Sequence, residues 1–362
     1  MTASIDQLIG RYLESDELSD RSAILDAGVD ALPDLQTRLK RDQPIEELER
    51  AEEILKALIA TLLSKGPDGS IARRLAAFQK DLGFLLKYKS YAIKATTPLG
   101  YSMFLQSPHE GFSFQRHVSH KIEIFHVVDT TPGAFVFLCT YPEWMRIYEE
   151  TSFQRWLDGE PNRDLESFRR FVSAGDVFPI TDLGTVHSAF GCILEEFATV
   201  STDMVDRLHD QNRGRSIPEL FTRSYAEARL RLAVSPSQSQ VFLGGERVGR
   251  QLTKKRIPGG FELVLLDDVL RAARYEFESG ADSFAQRDDH RATVLHVFSG
   301  GGEITIADVR ELRNGQRPNL PFSAGDLFLI PPGIAYVMNC DSPVMCSEHR
   351  VSPEQAFIAS RP

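Results

Sequence analysis

Cysteine is scarce in this chain: four residues, Cys139, Cys192, Cys340 and Cys346, among 362. So few exclude a disulfide scaffold or a cysteine-rich zinc knot, and make a reducing cytoplasm the simplest compartment. Long apolar runs are missing too. No stretch approaches the roughly 18 apolar residues that suggest a membrane span. The N-terminal MTASIDQLIGRYLESDELSD lacks the basic and apolar segments of a secretory signal, so no membrane partner is expected. Positive charge is in deficit, with 41 Lys and Arg against 51 Asp and Glu, a formal net charge of −10. Neither a basic tail nor a basic helix offsets this, which argues against a nucleic-acid partner.

What remains is a composition typical of packed globular domains, 42% hydrophobic and 25% charged, with 23 phenylalanines. The length allows two sizeable cores. Residues 1 to about 90 read as helical. In PIEELERAEEILKALIATLLSKG, Leu48, Ile54, Leu55, Leu58, Ile59 and Leu62 recur at spacings of three and four, and Lys65-Gly66-Pro67 supplies a stop. A second helix is expected over 70–84. These helices serve as a packed cap on a barrel or as a surface for homodimer formation, with the chain count left open.

Beyond Tyr91 the pattern turns to short segments rich in aromatic and β-branched residues, such as YSMFLQS, IEIFHVV and AFVFLCT, parted by Pro108, Gly111, Pro132 and Gly133. This is an all-β signal. Residues 148–171 read as a partly helical insertion, 202–216 as a polar exit loop, and 217–255 as a linker. Strands resume at ELVLLD. The octapeptide SAGDVFPI at 173–180 returns as SAGDLFLI at 323–330, identical at six of eight positions. A repeated glycine–aspartate turn feeding an apolar strand implies one supersecondary unit used twice. The expected organisation is a helical region over 1–90, a first barrel over 91–215, and a linker with a second barrel over 216–362.

Candidate chemistry gathers in the first copy. His117, His120 and Glu123 follow Gly111, and His187 follows Gly175, Asp176 and Gly184. Three imidazoles and a carboxylate brought together inside one barrel suit Mn, Fe, Ni, Co or Zn as a divalent ion. His126 competes for membership, although three residues from Glu123 it faces the other side of an unbroken strand.

The two copies resemble the paired metal motifs of the cupin superfamily, and the chain is similar to a bicupin. In the second copy Gly325, Asp326, Pro331 and Gly333 match the family's turn, but Tyr336 and Cys340 stand at the histidine and asparagine positions. Upstream, His290 through Gly300 resembles a degraded first motif with Thr293 near the glutamate position. The resemblance implies a mainly β fold of two double-stranded β-helix (jelly-roll) barrels with an N-terminal helical region. It implies a metal site in the first barrel at His117, His120, Glu123 and His187, and a degenerate one in the second.

After His187, the stretch CILEEFATV is similar to the last barrel strand of cupin sugar isomerases of the D-lyxose isomerase type. That likeness implies Glu195 or Glu196 as a base and Lys121 as a holder of an oxyanion or a substrate carboxylate. Only one of the two glutamates faces the cavity, because neighbouring strand residues alternate. Asp203, Asp206 and Arg207 read as a helix start at the surface. The leading expectation is a metal-dependent isomerase or epimerase of a small sugar or sugar acid. A metal-dependent oxygenase and a non-enzymatic bicupin binding a small metabolite stand as alternatives.

Overall fold

The computed structural model describes residues 4–15, 18–39, 85–89, 92–96, 100–105, 113–117, 121–199, 205–209, 241–243, 246–248, 252, 254–267, 270–280, 284–307, 319–324 and 326–351, with separate helical positions between 47 and 62. The fold is mainly β, with two barrels of antiparallel strands and a helical N-terminal region. The chain divides into two compact units that do not follow it in simple order. One comprises 1–85, 96–101 and 254–362; the other comprises 86–95 and 102–253.

The N-terminal helices Ile5–Ser15, Leu18–Ala27 and Leu32–Leu39 bury an apolar stripe that includes Ile9, Tyr12, Leu13, Ile24 and Leu35. Arg11 reaches Asp20 at 2.7 Å and Arg38 reaches Asp6 at 2.9 Å, tying the first helix to the second and the third. Of the periodic apolar positions in the next segment, Ile54, Leu55, Leu58 and Leu62 are helical and buried. Leu48, Ile59 and the helix expected over 70–84 lie outside the described residues. No helix among the described residues is long and apolar enough to cross a membrane.

The first barrel contains β1 (Leu85–Lys89), β2 (Ala92–Thr96), β3 (Tyr101–Leu105), β4 (Phe114–His117), β5 (Glu123–Thr140), β6 (Arg169–Phe171), β7 (Val177–Ile180), β8 (Thr185–Ala198), β9 (Val205–His209), β10 (Val241–Leu243) and β11 (Glu246–Val248). Its spine is the pairing of the two long strands, β5 and β8, whose register shifts between Val127 and Asp129 and again between Thr130 and Phe135. Those irregularities bend the pair so that one sheet wraps its own core. Side-chain alternation then sorts the residues. Val136 and Leu138 join Phe125, Val127, Phe178 and Leu194 in the barrel core. Phe135, Phe137 and Cys139 face the other way, onto Trp144, Phe153, Trp156 and Leu165. These last four come from the short helices Tyr141–Ile147, Glu150–Leu157 and Arg163–Glu166, so the expected insertion is a helical cover that begins at Tyr141.

Three segments differ from the sequence reading. Strands begin at Leu85, ahead of the expected boundary near 90. The exit loop contains β9, which pairs with β4, so Asp206 and Arg207 lie in a strand and not at a helix start. Asp203 is outside the described residues. Within the linker, β10 pairs with β7 and β11, extending the first barrel's sheet. Such strands are short or polar, and a strand whose partner is distant in sequence carries no local periodicity to reveal it.

The second barrel is a sandwich. One sheet has six strands in the order β12 (Lys254–Ile257), β13 (Gly260–Asp267), β14 (Arg271–Phe277), β21 (Val344–Val351), β16 (Ala292–Ser299) and β19 (Leu327–Ile330). The other has four, in the order β15 (Phe284–Arg287), β20 (Ala335–Cys340), β17 (Gly301–Ala307) and β18 (Asn319–Ser323). Tyr275, Leu295, Phe328 and Cys346 from the first sheet meet Ile304, Phe322, Tyr336 and Met338 from the second.

The repeated octapeptide has a physical cause. In each copy the aspartate carboxylate caps the turn, accepting from Ser173 N at 2.9 Å and from Ser323 N at 2.7 Å. Its carbonyl then accepts from the adjoining strand, at Val127 N in one barrel and Val297 N in the other.

Candidate metal centre

Three side chains meet at one end of the first barrel. His117 is the last residue of β4, Glu123 the first of β5, and His187 the third of β8. All three are fully buried. β8 runs beside both β4 and β5, which is why residues so far apart in sequence converge. His117 Nε2 lies 3.2 Å from Glu123 Oε1, and His187 Nε2 lies 3.3 Å from Glu123 Oε2. The imidazole rings are 5.1 Å apart at an interplanar angle of 78°. One donor atom from each residue falls within 4.8 Å of the others.

The electrostatics suit a cation. Burial pushes the His117 pKa down to about 2, helped by His187 and Lys121. Burial likewise holds His187 down at about 4, against a hydrogen bond with the Thr185 backbone that raises it. Both rings are therefore neutral near pH 7, the form that binds metal. His187 Nδ1 donates to the Thr185 carbonyl at 3.1 Å, which fixes the tautomer and leaves the Nε2 lone pair facing Glu123. His117 Nε2 and Glu123 Oε2 find no partner in hydrogen-bonding geometry among the described residues, while the Lys121 ammonium pairs with Glu123 Oε1 and the Lys121 backbone bonds to His117. Buried polar atoms rarely stay unsatisfied without a ligand or function. The donor set therefore fits a divalent metal ion.

Lys121 forms an ion pair with Glu123, and its Nζ lies 3.7 Å from Glu196 Oε1. Glu196 and Glu195 are neighbours on β8 and face opposite ways. Glu195 instead pairs with His126, Nδ1 to Oε2 at 3.2 Å, and both are buried. The alternation that separates Glu123 from His126 is thus repeated on the facing strand. His120 lies outside the described residues.

Gln115 was not anticipated. It pairs in register with His187, and its side-chain amide lies 3.2 Å from His187 Nε2. The amide carries an acceptor oxygen beside its nitrogen, so rotation offers a further oxygen donor to the cluster. The dipeptide Gln115-Arg116 returns as Gln286-Arg287, but Gln-Arg also stands at 154–155 and 316–317, so sequence alone does not single it out.

No family model matches the chain, and no curated protein matches it. Among solved structures it is similar to mannose 6-phosphate isomerase from Bacillus subtilis, at 13% identity over 69% of this chain and 74% of that one, with a TM-score of 0.44. It is similar to the oxalate decarboxylase formate complex from Lactobacillus farciminis, at 12% identity over 74% and 83%, with a TM-score of 0.42. Procruciferin, an 11S globulin from Brassica napus, is 12% identical over 74% and 82%, with a TM-score of 0.44. The chemistry of the site follows from this chain's own side chains.

Proposed function

We propose that the first barrel holds one divalent metal ion and isomerises or epimerises a small sugar or sugar acid by proton transfer. The observation that carries this reading is an acid–base pair, Lys121 and Glu196, bordering a buried donor set of two neutral imidazoles and a carboxylate. His117, Glu123 and His187 would hold the ion, with the Gln115 amide oxygen as fourth donor. Bound there, the ion supplies Lewis acidity, polarising a substrate carbonyl and the hydroxyl beside it.

The remaining work belongs to the chain. Glu196 Oε1 accepts the proton from the carbon next to the carbonyl. The Lys121 ammonium, held between the two glutamates, donates a hydrogen bond to the oxyanion that forms. For isomerisation Glu196 returns the proton to the former carbonyl carbon, while Lys121 gives a proton to that carbon's oxygen and takes one from the neighbouring hydroxyl; for epimerisation a solvent-derived donor protonates the opposite face of the first carbon and Glu196 releases its own proton. No redox partner is consumed. Burial of all these groups keeps bulk water away from the carbanion.

The test uses protein loaded separately with Mn, Fe, Ni, Co and Zn, incubated in deuterated water with a panel of aldoses, ketoses and sugar acids. Deuterium entering the carbon next to a carbonyl, followed by NMR, is the expected result. Glu196→Gln lowers the exchange rate at least 100-fold with ion content unchanged. Absence of both aldose–ketose conversion and exchange across the panel, with one ion bound per chain, removes this reading.

A further inference from the structure

The two barrels share a strand register, which assigns each donor of the first a counterpart in the second. Ile180 and Ile330 close the repeated octapeptide. Glu123 pairs with Ile180, and Thr293 with Ile330, so Thr293 stands at the glutamate position. On the other side, Glu123 pairs with Ala198 and Thr293 with Arg350, which makes Ala198 and Arg350 counterparts. Two residues earlier, Glu196 matches Glu348. Gln115 pairs with His187 as Gln286 pairs with Tyr336. His187 and Tyr336 each follow a glycine, Gly184 or Gly333, by three positions. Two residues past its glutamine, Asp288 therefore corresponds to His117.

The Arg350 side chain lies among these counterparts. Its Nη2 donates to Glu348 Oε2 at 2.8 Å and to Gln286 Oε1 at 3.0 Å. Its Nε lies 2.8 Å from Glu348 Oε1, and its Nη1 3.5 Å from Asp288 Oδ2. Glu348 also accepts from the Tyr336 hydroxyl at 2.5 Å and from the Tyr275 hydroxyl at 3.1 Å. Arg350, Glu348, Tyr336 and Tyr275 are all buried. Three of the four donor positions thus carry groups engaged with the guanidinium or with its carboxylate, and the fourth is Thr293.

We infer that the Arg350 guanidinium is a built-in cation, standing in the second barrel at the place the first barrel's donor set offers to a metal ion. The side chains agree. Ala198 leaves the first barrel room at the position from which Arg350 fills the second. His117 and Glu123 become Asp288 and Thr293, an acceptor for N–H groups and a small neutral residue. The Tyr336 hydroxyl donates to Glu348, where His187 offers a lone pair. Gln286 keeps its oxygen on the cation. A planar guanidinium with fixed N–H directions matches a carboxylate and an amide oxygen without exchangeable ligands. The second barrel is therefore a permanently occupied copy of the site, and the chain takes one metal ion where its repeat suggests two.

Chemical rescue tests this in the full chain. Arg350→Ala lowers the melting temperature by about 10 °C, the scale expected when a buried carboxylate loses its nearest cation and keeps only Arg271, at 3.7 Å, and two hydroxyl donors. Low-millimolar methylguanidinium returns at least half of that loss, and does nothing for the native chain or for Tyr336→Phe. A variant that melts like the native chain, or one that melts lower yet ignores methylguanidinium, overturns the inference. Should Arg350→Ala fail to fold, the ion content of His187→Ala loaded with Co or Mn decides. No tightly held ion is expected; one retained there and lost on adding Asp288→Ala overturns the inference. Rescue reports on the second barrel alone, so it stands or falls separately from metal binding and turnover in the first.

Discussion

Burying two imidazoles beside each other takes away their ability to protonate at ordinary pH. In the unfolded chain both titrate near 6.5; folded, His187 does so at about 4 and His117 at about 2. The unfolded state therefore binds more protons below pH 6.5, and stability falls as pH drops. For chain stripped of metal, the unfolding free energy should fall between pH 6.5 and about 4 by up to about 1.4 kcal/mol per pH unit for each ring. Urea titrations at successive pH values measure the slope, and His117→Asn with His187→Asn should remove it. An equal slope in that double variant would show that other groups dominate acid sensitivity. With metal present, His187→Ala should take the ion content from one per chain to none, as read by elemental analysis.

Strand ends and turns carry the next level of specification. The helix Tyr141–Ile147 starts with a capping box in which Thr140 and Glu143 satisfy each other's backbone amides. Hydrogen bonds from the Thr140 backbone and hydroxyl hold the Glu143 carboxyl below the usual range. Thr140→Ala should cost about 1 kcal/mol in chemical denaturation. Glycines discriminate further. Gly133 has φ +80° with open space around a would-be Cβ, whereas at Gly300, φ +83°, that atom would lie 2.2 Å from the Pro343 carbonyl oxygen. Gly133→Ala should cost about 1–2 kcal/mol, the left-handed penalty alone. Gly300→Ala should cost clearly more, because backbone must move as well; equal losses would mean that the strand end yields freely.

At the scale of the molecule, one barrel with an ion and one with an internal guanidinium should respond differently to metal. Ligand binding stabilises only the states that bind it, by about 2.7 kcal/mol at a hundredfold excess over Kd. Hydrogen exchange with and without Co should show added protection in β4, β5 and β8. Strands β14, β20 and β21 should be unchanged. Protection rising equally in both sets would place a second ion in the second barrel.

The repeat SAGDVFPI/SAGDLFLI, the apolar alternation and the glycine–proline punctuation were enough to read two β barrels, because they are local consequences of turn and strand chemistry. His117, Glu123 and His187 were candidates through the resemblance of their motif; that their side chains meet came from the pairing of β8 with β4 and β5. Alternation alone also required Glu195 and Glu196 to part company. Which of them faces Lys121 depended on the pairing of β5 with β8, a register between segments some 70 residues apart in sequence. Gln115, β9 and β10 were equally invisible, being ordinary residues or short strands whose meaning comes from a distant partner. Arg350 shows the limit most clearly. In the sequence it is one arginine among many, while cross-strand register puts it opposite Thr293 and its side chain among Glu348, Gln286 and Asp288. Local sequence determines what each strand can be; burial and long-range pairing decide which charges must answer one another.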